Sequence, residues 1–218
     1  MYSSIKTNSA HRVTEVRENL DFFAPLIPTA PITTPRHLNT SKGLIFVQLY
    51  GVIEYTICTT IAKTIDLINN DLVKLQDLKP LLLGMALNSH LDSLNQANRK
   101  KWDKRNDLFQ KFMDNTEASI FNDILPTNGQ NYNLPQLASI WKTFSITEPI
   151  FNDIAFRGRL QEIVSNRINI AHGNNSAAEI GSRVTPGDLY DRVNEVSSFC
   201  SYFISVFEGY TANKNFRK

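Results

Sequence analysis

Apolar positions recur along this chain at the three- and four-residue spacing of helices, and the alternation expected of strands is scarce throughout. Between His11 and Phe23 the stripe Val13, Val16, Leu20, Phe23 predicts a short amphipathic helix. Pro25, Pro28, Pro31 and Pro35 follow; a continuous helix cannot carry them, so this connector is expected to run extended over the surface. A long apolar run from about Leu44 to about Asn69 predicts the central helix, with Ser41 as N-cap close to Gly43 and Asn69-Asn70 as its stop. Shorter helices are expected over Leu72 to Leu78 and, opened by Pro80, over Leu81 to Leu91.

The middle of the chain is less regular. Phe109 to Phe121 reads as helical, and Thr127-Asn128-Gly129-Gln130-Asn131 as a turn. Asn133 then caps a short helix that has Pro135 in its first turn and runs through Phe144. The next helix spans about Ile154 to Ile170. The last opens at Thr185-Pro186-Gly187-Asp188, with Thr185 as cap, Pro186 at the first helical position and Asp188 at the positive end of the dipole. Its apolar residues Leu189, Val193, Val196, Cys200, Phe203 and Phe207 alternate spacings of four and three, a packing seam. The fold expected is all-α: an antiparallel helical bundle over residues 44–210, preceded by an N-terminal helix and proline-rich connector (1–43), with helical insertions and a polar tail at 211–218.

A length of 218 residues fits one domain with a real core, and 42% hydrophobic with 20% charged residues excludes disorder of the whole chain. The net charge of +2 does not announce a nucleic-acid binder, so any such affinity must be local. The one basic cluster is Arg99, Lys100, Lys101, Trp102, Lys104 and Arg105; it reads either as a track for an RNA backbone with a stacking ring, or as a solvated loop balanced by Asp103 and Asp107. Cys58 and Cys200 lie in apolar helical stretches and read as buried thiols, which favours a reducing cytoplasm. Leu44 to Ala62 carries a single charge, Glu54, yet Gln48, Glu54 and several threonines favour a buried central helix over a membrane span. His11, His37 and His90 show no metal-ligand spacing, and no zinc motif, phosphate-cradling glycine loop or nucleophile elbow occurs; no cofactor is expected.

The sharpest feature is Arg167-Ile168-Asn169-Ile170-Ala171-His172-Gly173. Leu160, Ile163, Val164 and Arg167 share one helical face, so the arginine points where a core residue would, and a buried guanidinium needs an anion. Two anions are open to it, a carboxylate of the chain or the phosphate of a ligand. The internal candidate is Glu54, which reads as a buried acid at helical spacing from Val47, Ile57 and Ile61; such a pair would hold two helices in register or serve a site. Gly173 is a natural residue just beyond a helix end, so the helix should stop near His172 and free the imidazole either to converge with Arg167 on one ligand or merely to cap the helix.

An arginine, four residues, then a histidine resembles the hallmark of the HEPN superfamily, and the full segment is similar to the RiboL-PSP-type and related HEPN-like nucleases of prokaryotes, whose usual text is Arg-Asn-x-Ile-Ala-His-Gly. Tyr50-Gly51-Val52-Ile53-Glu54 resembles that family's first core helix, and Leu134 to Ile146 the short helix before its motif helix; the likeness spans about Leu44 to Tyr210. It departs at Ile168, where the family commonly has a polar residue, and Asn169 comes one place later.

The resemblance implies metal-independent RNA cleavage by attack of the substrate's own 2′-hydroxyl, with catalytic residues Arg167, His172, Asn169 and Glu54. His172 would move protons, Arg167 would hold the phosphate, Asn169 would position phosphate or histidine, and Glu54 would orient the arginine or the histidine. One motif histidine per chain implies a homodimer with a composite cleft. The resemblance also implies a toxin or defence effector of a bacterial cytoplasm, with an antitoxin or defence-system partner and no membrane. The alternatives are a non-catalytic HEPN module that binds RNA, a nucleotide or a protein, which Ile168 favours, and a structural helical dimer.

Overall fold

The computed structural model describes residues 1–218 except 30, 98, 123 and 128–130, so the centre of the turn expected at Thr127–Asn131 lies outside the described residues. The described elements are helical, with two isolated antiparallel bridges, Lys74 with Glu117 and Leu78 with Arg217. The helices are α1 (Ser3–Phe23), α2 (Arg36–Asn70), α3 (Leu83–Ala86), α4 (Asn88–Gln96), α5 (Lys101–Met113), α6 (Leu134–Phe144), α7 (Phe156–Ala171), α8 (Ala177–Gly181) and α9 (Pro186–Ala212).

α2 is the axis. By length and composition it could cross a membrane, but α1, α7, α8 and α9 pack around it and its apolar residues form the centre of the bundle. Ile45, Leu49, Ile53, Ile57, Ile61, Ile65 and Ile68 are fully buried at spacings of four and three, as a helix enclosed by neighbours requires. The threonines on the same helix serve the packing. Thr56 and Thr64 return a hydrogen bond to the carbonyl four residues back; Thr56 also meets Ser9 of α1 at 2.9 Å, and Thr64 the hydroxyl of Tyr2, the residue just before α1, at 2.7 Å. Two buried hydroxyl pairs thus set the register of α1 on α2.

α1 and α2 begin earlier than their periodicity predicts. α1 extends back to Ser3 because Tyr2, Ile5 and Ser9 continue its buried stripe. α2 starts at Arg36, directly after Pro35, and Ser41 is an interior residue whose hydroxyl bonds the His37 carbonyl; it does not cap the helix. The added turns carry Gly43, which contacts α8 backbone to backbone. A Cβ on Gly43 would lie 2.0 Å from the Ala177 carbonyl oxygen, and one on Gly181 would lie 1.8 Å from that of Asn39.

The stretch Leu72–Leu78 is not an α-helix. Val73 and Leu75 are buried on either side of the extended Lys74, the Val73 carbonyl accepts from the Ala118 amide and the Leu75 amide donates to the Thr116 carbonyl, and only a single 3-10 turn, Leu75–Asp77, is helical. The expected Leu81–Leu91 helix is split into a 3-10 turn at Pro80–Leu82, then α3 and α4. The expected Phe109–Phe121 helix sits eight residues earlier at its start, as α5, so the basic cluster forms its first turns.

The caps at the C-terminal end follow the sequence. Asn133 accepts from the Gln136 amide at the start of α6, and Thr185 with Asp188 forms a reciprocal capping box on α9. All six residues of the predicted α9 seam are buried. Trp141 and Phe144 of α6 meet Phe207 edge-on, with centroids 5.9 and 5.3 Å away. Residues 211–218 are docked: Phe216 is buried, Arg217 pairs with Asp71, and the Lys218 amide donates to the Asp77 carbonyl. Cys200 is a buried free thiol whose pKa burial pushes up to about 11, and Cys58 is half-buried and free.

Candidate active site

α7 places the motif. Leu160, Ile163 and Val164 bury its inner face, and Arg167 continues that face one turn nearer the helix end, where it is half-buried. The helix then stops as its sequence dictates. His172 still donates its amide to the Ile168 carbonyl at 3.0 Å, and Gly173 adopts φ +72°, a left-handed conformation that glycine takes without a Cβ penalty. The Asn175 amide returns to the Asn169 carbonyl at 3.2 Å, and Ser176 with Glu179 forms a capping box that starts α8. His172 is therefore presented on an exposed, tightly closed helix end.

The anion expected beside Arg167 is not Glu54. Among the described residues Arg167 and Glu54 form no ion pair, and Glu54 is exposed. It lies on an exposed stripe of α2, shared with Leu44 and Gly51, so the apolar helix reads as buried all round when, among the described residues, one face is open. Instead Arg167 donates from Nη1 to the Asn131 side-chain oxygen at 2.9 Å, while its guanidinium lies over the Tyr50 ring, 4.8 Å from the centroid. A neutral amide and a ring face hold the cation without neutralising it, and among the described residues most of the guanidinium's N–H donors have no other partner.

Behind this contact is a continuous polar network. The Tyr132 amide donates to the Tyr50 hydroxyl at 3.2 Å, and the Tyr132 hydroxyl and Cys58 Sγ are 3.0 Å apart. Burial pushes the Tyr50, Tyr132 and Cys58 pKa values up, and the nearby Glu54 carboxylate adds to each shift. All three stay protonated at neutral pH, so the network positions Arg167 and holds no titrating group near pH 7. Glu54 thus acts on the site as a field, not as a ligand of the arginine.

Asn169 is half-buried, two residues beyond Arg167 on a regular helix, a turn of about 200° that directs the two side chains apart. Its carbonyl holds the Asn175 turn; among the described residues its side-chain amide makes no hydrogen bond. His172 is five residues from Arg167, about 140° around the same helix, and the helical bond of its backbone amide keeps it near that direction. Arg167 and His172 share an end of α7 without touching. The basic cluster lies elsewhere: Arg99, Lys100, Lys101, Trp102, Lys104 and Arg105 are all exposed at the start of α5, which packs chiefly on α4. Among the described residues no three His, Cys, Asp or Glu side chains come together.

Sequence reading misses Asn131, Tyr132 and Cys58 as members of the site. Only Tyr50 carries a signal, by its place in the Tyr-Gly-x-x-Glu stretch. The Ser176-x-x-Glu179 capping box announces α8 and is the signal that could have placed it.

The profile of the RiboL-PSP-HEPN family matches residues 7–209, a span that takes in most of α1. No curated protein and no solved structure matches the chain.

Proposed function

Because the chain belongs to the RiboL-PSP-HEPN family, a family of HEPN domains, we propose that the exposed end of α7 is half of an RNA-cleaving site, completed by the same surface of a second copy. The observation that carries this reading is the state of Arg167: a half-buried guanidinium fixed by a neutral amide and a ring face, with no carboxylate of its own among the described residues. That arrangement suits an arginine whose anion arrives with a ligand.

In the proposed reaction the substrate's 2′-oxygen attacks the adjacent phosphorus and the bond from phosphorus to the 5′-oxygen breaks. The products are a 2′,3′-cyclic phosphate and a 5′-hydroxyl. One His172 imidazole takes the 2′-proton, and His172 of a second copy gives a proton to the leaving oxygen. Arg167 carries the charge that builds on the phosphoryl oxygens. The helical geometry supports the composite arrangement, since Arg167 and His172 of one copy diverge and a twofold partner can set one copy's histidine against the other's arginine.

Subunit mixing tests this. His172→Ala protein is expected to be inactive and, co-refolded with an equal amount of native protein, to leave about a quarter of the cleavage of all-native dimers, because only the dimers in which both copies keep His172 hold a complete site. Retention of half the cleavage in proven mixed dimers, as copies acting singly would give, would contradict the composite site. The second reading, an RNA-binding module without turnover, is favoured by Ile168 and by the turned-away Asn169; RNA binding with no cleavage in the native protein would select it.

A further inference from the structure

α5 buries none of its residues fully, yet it carries three of the chain's most exposed large apolar side chains. Trp102, Phe109 and Met113 are 72%, 67% and 68% exposed. With Arg105 and Asn106 they stand at offsets of three, four, seven and eleven from Trp102, so they share one outward stripe. Arg105 already lies over the Trp102 ring, 4.7 Å from its centroid. Asp103 and Asp107 fall off this stripe; Asp107 and Lys104 face the hollow against α4, beside Ser89, His90 and Ser93.

The charge is segregated as well. Arg99 to Met113 holds six basic and two acidic residues, a net +4 in a chain of net +2, so the rest of the chain is net acidic at −2. The positive start of α5 has no side-chain cap, and Arg99, Lys100 and Lys101 add like charge to it, an arrangement unfavourable in the free protein. Aromatic faces flanked by cations, with carboxylates turned away, fit an unpaired nucleic-acid strand: bases stack on the rings and phosphates meet the cations. An anionic strand also fits better than a protein partner on charge, because five of the seven residues Arg99–Arg105 are basic and lysine is depleted at protein interfaces.

We propose that the outward stripe of α5 is a docking track for single-stranded nucleic acid, with Trp102 as the stacking platform and Lys101 and Arg105 as phosphate contacts. This deepens the RNA reading above by naming an unpaired strand as substrate and a second surface that holds it.

The test uses the full chain and a 15-nucleotide oligo-dT strand, which lacks the 2′-hydroxyl and cannot be cleaved by the proposed reaction. The protein has two tryptophans, and Trp141 is buried, so emission from an exposed tryptophan reports on Trp102. Binding is expected to quench that emission. Trp102→Ala should weaken binding about tenfold. Lys101→Ala with Arg105→Ala should lower the slope of log affinity against log salt by roughly 1.4, at about 0.7 for each phosphate that is no longer neutralised. Since α5 contributes no fully buried residue, these variants should retain the native circular dichroism. No quenching, or a Trp102→Ala protein that binds as tightly as native, overturns the proposal and leaves the stripe to a protein partner. RNA cleavage by a protein whose Trp102 does not respond would sink this inference alone; a Trp102 response without cleavage would sink only the nuclease reading.

Discussion

Replacing His172 with alanine is expected to lower RNA cleavage by about a hundred- to ten-thousandfold, the range for loss of a positioned proton-transfer group. Arg167→Ala should cost as much, and Arg167→Lys most of it, because an ammonium keeps the charge but loses the planar fork that meets two phosphate oxygens and stacks on Tyr50. The neighbours grade this series. Asn131→Ala removes the one hydrogen bond from protein to guanidinium among the described residues and should lower kcat by about ten- to a hundredfold, the scale on which a misplaced group loses rate, with KM little changed. Glu54→Gln should stay within about twofold, since an exposed carboxylate with no ion partner among the described residues acts on the site only through space. Initial rates on one RNA substrate, with thermal melts to show native stability, check all of these variants. A Glu54→Gln loss equal to that of Asn131→Ala would contradict the assignment of Asn131 as the group that holds Arg167.

The second large effect concerns stability. Gly181→Ala should cost about 3 kcal/mol or more, because the new Cβ would sit 1.8 Å from the Asn39 carbonyl oxygen and both sides of the contact are backbone. For a chain of this size that corresponds to a fall in Tm of roughly 6–12 °C. Gly51→Ala should have the opposite sign. Gly51 lies on the exposed stripe of α2 with nothing within 4 Å of an added Cβ, so alanine should raise stability by about 0.5–1 kcal/mol through helix propensity. Calorimetric melts of the two variants decide it. The Gly181 change should also disturb the site: α8 follows the motif turn directly, so moving α8 moves the loop that closes behind His172.

What the sequence makes legible is what local rules govern. Asn133 and Thr185 cap their helices through bonds to residues three places away, Gly173 ends α7 by its own backbone freedom, and the α9 seam repeats within one helix. The motif helix can be read for the same reason. Failures arise where a distant partner decides. Ser9 belongs to the buried stripe of α1 only because Thr56 of α2 faces it, so the apolar pattern alone starts α1 too late. Leu72–Leu78 has enough apolar residues for a helix, but backbone pairing with residues 116–118 draws it out as extended chain. Glu54 reads as buried because its helix is apolar, and nothing in α2 itself says that the Leu44–Gly51–Glu54 stripe is left open. Asn131 reaches Arg167 across 36 residues of chain, from a loop whose composition announces only a turn.

In the proposed reaction Arg167 and His172 cleave RNA through its own 2′-hydroxyl. The most direct measurement is incubation of the native protein, with EDTA present, with two matched oligonucleotides, one all-RNA and one carrying a single 2′-deoxynucleotide at the cleaved position. The proposed reaction requires cleavage of the all-RNA strand to 2′,3′-cyclic phosphate and 5′-hydroxyl ends, and no cut at the deoxy position. Cleavage that stops with EDTA, a cut at the deoxy position, or an intact all-RNA strand that the protein nevertheless binds would contradict it.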